Sequence, residues 1–128
     1  MYPNDRLYSK EHEWVLLEGD TCTLGITEFA QKELGEIVFV ELPEAGDEFE
    51  AHEEIGTVES VKAVAEVYTP VSGEIVEANE TLEDRPELVN EDPHGEGWMV
   101  KLRIDRDSAE LDELMDADAY EEFVGGEE

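Results

Sequence analysis

Apolar positions along this chain fall in short runs broken by glycine, proline and acidic residues. HEWVLLE (12–18) alternates weakly between apolar and polar positions and predicts a strand. Gly19-Asp20 supplies a turn, and TCTLGI (21–26) predicts a second strand. The period then changes. In TEFAQKEL (27–34), Phe29 and Ala30 share one face while Lys32 and Glu33 point away. Thr27 can cap the start and Gly35 can end it, so a short helix is predicted. IVFVEL (37–42) is a β-branched and aromatic run closed by Pro43, the clearest strand in the chain. DPHGEGW (92–98) reads as a turn before a strand over WMVKLRI (98–104), with Trp98 as a core anchor.

An internal repeat organises the middle. PEAGDEFEA (43–51) and PVSGEIVEA (70–78) match at Pro43 and Pro70, Gly46 and Gly73, Glu50 and Glu77, Ala51 and Ala78, at a constant offset. Two similar strand–turn units predict a small β-fold with internal pseudo-twofold symmetry. The segment joining them is then a hairpin, with TVES leading in and AVAEVYT leading out. Its tip is Ser60, Val61, Lys62 and Ala63. None of these is Gly, Asn or Asp, the residues a tight primed turn prefers, so something other than backbone comfort selects them. Beyond Asp105, SAELDELM and ADAYEEFV space apolar residues helically. Ser108 and Asp116 are candidate N-caps, Gly125-Gly126 the stop, and Tyr120 and Phe123 core residues. The reading is one mainly β domain over residues 1–128, with its core at 12–104 and C-terminal helices at 107–124.

Charge narrows the function classes. The chain has 37 acidic and 8 basic residues, for a net charge of −29. Such a surface repels phosphate backbones and anionic lipid heads, so neither nucleic acid nor a membrane surface is an expected partner. The acid is spread along the chain, which reads as adaptation to a salty cell interior of the kind halophiles use. Because 40% of residues are hydrophobic and recur in runs, this is not a disordered acidic polymer. Cys22, the only cysteine, sits in a strand-like run and reads as a small buried hydrophobe. The N-terminal stretch has no apolar core of a signal peptide, and the expected location is the cytoplasm. His12, His52 and His94 lack metal-ligand spacing. No nucleophile elbow, P-loop or dinucleotide fingerprint occurs, so an enzyme has no residues to stand on.

Lys62 is then the residue to explain. A strand lysine can lay its stem over apolar neighbours and keep its ammonium in water. Yet the other lysines are only Lys10, Lys32 and Lys101, and this one lies at the repeat junction, where the fold would expose a tip. Both readings stay open on the residues alone.

The residues also match a family. ESVKA at 59–63 resembles the lipoylation site of the glycine cleavage system H-protein family. The resemblance continues through HEWV (12–15), GITEFAQKELGEIVFVELPEAG (25–46), PVSGEIVEAN (70–79) and PELVNEDPHGEGWM (86–99). Departures are mainly extra carboxylates, as at Glu11 and Glu33. Biotin carriers place methionines beside their lysine, and lipoyl domains of 2-oxo acid dehydrogenases usually an aspartate before it; Val61 and Ala63 stand here instead.

The resemblance implies a flattened barrel-sandwich of the lipoyl/biotinyl type and a non-catalytic carrier, with lipoic acid joined to Lys62 as an amide. Lysine plus lipoyl chain reaches on the order of 15 Å from the backbone. It implies three enzymes served in turn. A pyridoxal-phosphate glycine decarboxylase loads an aminomethyl group, a folate-dependent aminomethyltransferase removes it, and dihydrolipoamide dehydrogenase reoxidises the dithiol. A lipoate-attaching enzyme is a fourth partner, and Glu59 and Ser60 are implied to serve its recognition. Glu13 and Glu66 match residues lining a resting site for the loaded arm, where carboxylates suit an ammonium. The rival readings are a lipoyl relay or carrier for another acyl-transfer complex, and an unmodified acidic interaction module.

Overall fold

In the computed structural model, which describes residues 2–105 and 109–127, the short apolar runs become strands that bury one face. The strands are β1 (Leu7–Tyr8), β2 (Glu13–Glu18), β3 (Thr21–Ile26), β4 (Ile37–Glu41), β5 (Glu48–Phe49), β6 (Glu54–Ser60), β7 (Val64–Tyr68), β8 (Gly73–Ala78) and β9 (Val100–Arg103). Helices α1 (Glu28–Leu34), α2 (Thr81–Asp84), α3 (Leu88–Glu91) and α4 (Ala117–Glu127) lie between or after them. The strands form two antiparallel sheets, a six-stranded one in the order β1-β2-β3-β9-β8-β5 and a three-stranded one in the order β4-β6-β7. The fold is therefore mainly β, as the sequence predicts.

One buried cluster joins the sheets: Val15, Leu24 and Ile75 from the larger meet Val40, Val58 and Val67 from the smaller. Fully burying an aliphatic side chain is worth about 1.5–3 kcal/mol, so this cluster carries most of the drive to fold. Cys22 belongs to it, with its thiol pushed up to about 12 by burial. A second cluster holds α4 to the larger sheet through Tyr8, Trp14, Tyr120 and Val124, with Phe123 and Trp98 half-buried against it. The two repeat units are neighbours, since β5 from the first pairs with β8 from the second at Phe49 and Gly73.

Two tail expectations are corrected. SAELDELM does not make a regular α-helix. A 3-10 turn spans Ala109–Glu113, where Glu110 reaches away to bond the Ser72 N–H and hydroxyl at 2.7 Å each. The proposed Ser108 cap lies outside the described residues. Gly125-Gly126 does not stop the second helix, which continues to Glu127. Glycine ends a helix by turning left-handed, and Gly125 is not among the positive-φ residues. Asp116 does cap α4, its Oδ1 accepting the Ala119 N–H at 2.8 Å.

Candidate functional site

The β6–β7 hairpin turns without glycine because Ser60 closes it. Its hydroxyl accepts the N–H groups of Ala63 at 3.0 Å and Lys62 at 3.3 Å, and donates to the Ala63 carbonyl at 3.2 Å. The Ser60 N–H donates to the same carbonyl at 2.7 Å. Serine thus replaces the backbone conformations that a primed turn obtains from Gly or Asn. Ser60 itself is only 5% exposed, whereas Val61, Lys62 and Ala63 stand in solvent. Among the described residues no ion pair engages the Lys62 ammonium, although the chain is rich in acid.

The turn is also held from below. The Val61 N–H donates to the Glu36 carbonyl at 3.1 Å, tying the tip to the link between α1 and β4. Asn90 of α3 fixes that link. Its amide donates to the Gln31 side chain and the Gly35 carbonyl, both at 2.8 Å, and its oxygen accepts the Ile37 N–H at 2.8 Å. Gly35 adopts φ +84°, which an L side chain rarely takes, and the Lys62 stem passes over it. Its N–H meanwhile caps α1 on Gln31. The lysine therefore projects from a backbone fastened at several points.

Beside the hairpin lies a cavity of about 360 Å³ between α1, β7 and the start of β2. Phe29, Ala30, Leu34, Val58 and Ala65 supply its apolar walls. Four carboxylates, Glu11, Glu13, Glu33 and Glu66, line it as well. The helix wall is positioned by its cap and by α4. Thr27 Oγ1 accepts the Ala30 N–H, and the Tyr120 hydroxyl lies 2.7 Å from both Thr27 Oγ1 and His12 Nδ1.

Glu13 is the unusual acid. It is 3% exposed, and burial pushes its carboxyl up to about 7 against the Ser9 hydrogen bond, which favours the charged form. Ser9 donates to Oε1 at 2.5 Å and accepts the Glu13 N–H at 3.1 Å. Glu66, by contrast, is exposed on β7, and its charge raises the Tyr68 hydroxyl. His94 holds the other side of α1, its Nε2 accepting the Glu28 N–H at 3.2 Å; burial, then the Arg6 charge, push it down to about 4.

Glu13 and Glu66 are thus brought to one cavity, while Lys62, Glu59 and Ser60 sit together on the adjoining hairpin. Sequence reasoning missed Asn90, the Tyr120 contacts and the cavity's apolar walls. It noted Glu11 and Glu33 only as extra acid, and both line the cavity. The Phe29/Ala30 face of the predicted helix was the available signal, since no other feature said what that face covers.

A lysine held out on a fastened turn, with an amphipathic cleft beside it, is the design of a carrier domain that offers a side-chain-borne group to other proteins. A family model described as glycine cleavage H-protein matches residues 6–127. The glycine cleavage system H protein of Staphylococcus carnosus is 59% identical over 123 residues, covering 96% of this chain and 97% of that one. That of Halalkalibacterium halodurans is 57% identical over 125 residues, covering 98% and 97%. The crystal structure of a glycine cleavage system H protein from Mycobacterium marinum superposes with a TM-score of 0.85 at 37% identity, covering 98% of each chain. The chain belongs to the glycine cleavage H-protein family. It is a lipoyl carrier of the glycine cleavage system, with lipoate as its covalent cofactor.

Proposed function

We propose that Lys62 is the residue that bears the lipoyl group, and that the cavity beside it is where the arm rests. The observation that carries this is the solvent-facing Lys62 at a tip held by Ser60 and Glu36. A ligating enzyme needs the amine accessible, and arm-reading enzymes need its root fixed. The residues present fit the group: an apolar wall of Phe29, Leu34 and Ala65 suits a hydrocarbon arm, and the carboxylates suit a cationic cargo. The lipoyl dithiolane, when attached, supplies the redox and group-accepting chemistry.

The chain's own residues hold, orient and shield. Glu13, poised near neutrality, meets an ammonium as a carboxylate and releases its proton when one arrives. Glu66 and Glu11 add negative potential at the cleft. Phe29 and Leu34 limit the access of water. Glu59 is exposed and available to the lipoate-attaching enzyme, while Ser60 serves it by shaping the turn. The protein catalyses nothing itself. Its partners are the pyridoxal-phosphate glycine decarboxylase, the folate-dependent aminomethyltransferase, dihydrolipoamide dehydrogenase and the lipoate-attaching enzyme. It works as a single domain over residues 1–128, in the cytoplasm of a cell whose interior is salty, as its −29 charge suggests.

Intact mass and peptide mapping test the attachment. One lipoyl increment is expected on Lys62, and none in Lys62→Arg, which keeps the charge and cannot form the amide. A full increment in that variant would refute the assignment.

A further inference from the structure

Lys62 stands where two faces of one hairpin meet. The inner face, with Val58 and Ala65, lines the cavity. The outer face carries Phe39, Glu59 and Val64 in one row across β4, β6 and β7, each paired with the next. Directly paired residues on one face lie about 5 Å apart, so the three form a continuous strip. Val38, the extra residue of a β4 bulge, and Val61 at the tip extend it. Among the described residues, the exposed large hydrophobics are Val38 (43%), Phe39 (49%), Val61 (69%) and Val64 (62%). All four flank the lysine. Among the described residues, a chain rich in carboxylate leaves its large apolar side chains exposed only beside this lysine, and such patches mark contact sites.

We propose that this outer face is the docking surface for the lipoate-attaching enzyme, an inference that rests on Lys62 being the attachment residue. That partner is expected to meet Phe39, Val61 and Val64 with an apolar patch and Glu59 with a basic side chain. Reach decides among the partners. A bare lysine extends only about 6 Å, so the attaching enzyme must bring its active site down to the hairpin. Enzymes that use the finished arm act from about 15 Å away and need not press on this strip. A standard interface covers about 800 Å² on each partner, which takes in the whole row around the tip. The charge agrees, because a surface at −29 steers a basic partner inward and Glu59 gives it a central counter-charge. The bulge at Val38 breaks the regular edge of β4, so on that edge side chains, not an added strand, make the contact. The reaction served there joins Lys62 Nζ to the carboxyl carbon of ATP-activated lipoate; adenylate leaves and the amine loses a proton.

The test uses full-length apo-protein with a bacterial lipoate ligase, lipoic acid and ATP. Phe39→Ser and Val64→Ser change exposed positions, and circular dichroism checks that each stays folded. Each should raise the ligase KM for the apo-protein about tenfold with kcat changed less than threefold. Variants driven to full lipoylation by long incubation should then support glycine-dependent reduction of the dithiolane by the decarboxylase partner with KM within twofold of wild type. An unchanged ligase KM overturns the proposal. So does an equal loss in both assays, which would make the strip a general docking face. If wild-type protein takes up lipoate elsewhere than Lys62, the attachment assignment fails instead, and mapping tells the two failures apart.

Discussion

Burial shifts Glu13 and His94 in opposite directions, the carboxyl up and the imidazole down. The folded protein holds the Glu13 proton more tightly than the unfolded chain does. Its contribution is therefore complete below the ordinary carboxylate range and is lost as pH rises through about 7. His94 is depressed, so its contribution is present above about 6.5 and is lost as pH falls through about 4. The windows overlap, and wild-type stability across them is a partial cancellation. Glu13→Gln removes one side. Relative to wild type it should gain stability between pH 5 and pH 8, by about 3 kcal/mol at most, measured by urea unfolding. A constant difference across that range would show that Glu13 is not held protonated by burial. Asn90 makes a separate case. Asn90→Ala strands the Ile37 N–H and the Gly35 carbonyl, and should cost about 2–3 kcal/mol in the same assay. The exposed place of Lys62 at a hairpin tip was legible because the repeat on either side of it calls for a turn there. Asn90 was not: its three bonds reach 53, 55 and 59 residues back along the chain, and no local pattern announces them.

At the level of elements, strands with a long enough apolar run were readable, and β3 matches its predicted bounds to the residue. The helix after it was readable too, because Thr27 and Gly35 mark its ends and both act as expected. The two-residue strands β1 and β5 have no period to detect, and their pairing is decided by β2 and β8. Helices α2 and α3, at four residues each, lie below the length at which periodicity speaks. In the tail the second helix and its Asp116 cap were readable, but its end was not: the glycines were read as a stop, although nothing forces them out of helical geometry. What the tail does is hold α1. Tyr120→Phe should cost about 1–2 kcal/mol and speed amide exchange at Ala30 and Gln31 while leaving β9 protected. Equal acceleration in β9 would mean that Tyr120 supports the core at large and not the cavity wall.

On the scale of the whole molecule, the sequence announced the charge and the repeat, and the family resemblance a resting site at Glu13 and Glu66, but not the cavity's apolar walls, which exist only because α1, β2 and β7 converge. The charge has a direct consequence. Self-repulsion at −29 is relieved when the Debye length falls to about 3 Å near 1 M salt. The melting temperature by circular dichroism should therefore climb from low to molar potassium chloride, by several degrees or more. A flat profile would remove the argument for a salty interior. The fastened turn under Lys62 matters here in a different currency, that of disorder. Were residues 60–63 a loose loop, each visiting enzyme would have to freeze them at about 1–2 kcal/mol per residue, a penalty of roughly a thousandfold or more in affinity. Ser60 and the Glu36 carbonyl remove that freedom once, when the chain folds. With Lys62 as the proposed attachment residue, successive enzymes can then bind weakly, release quickly and still find the lysine root in the same place.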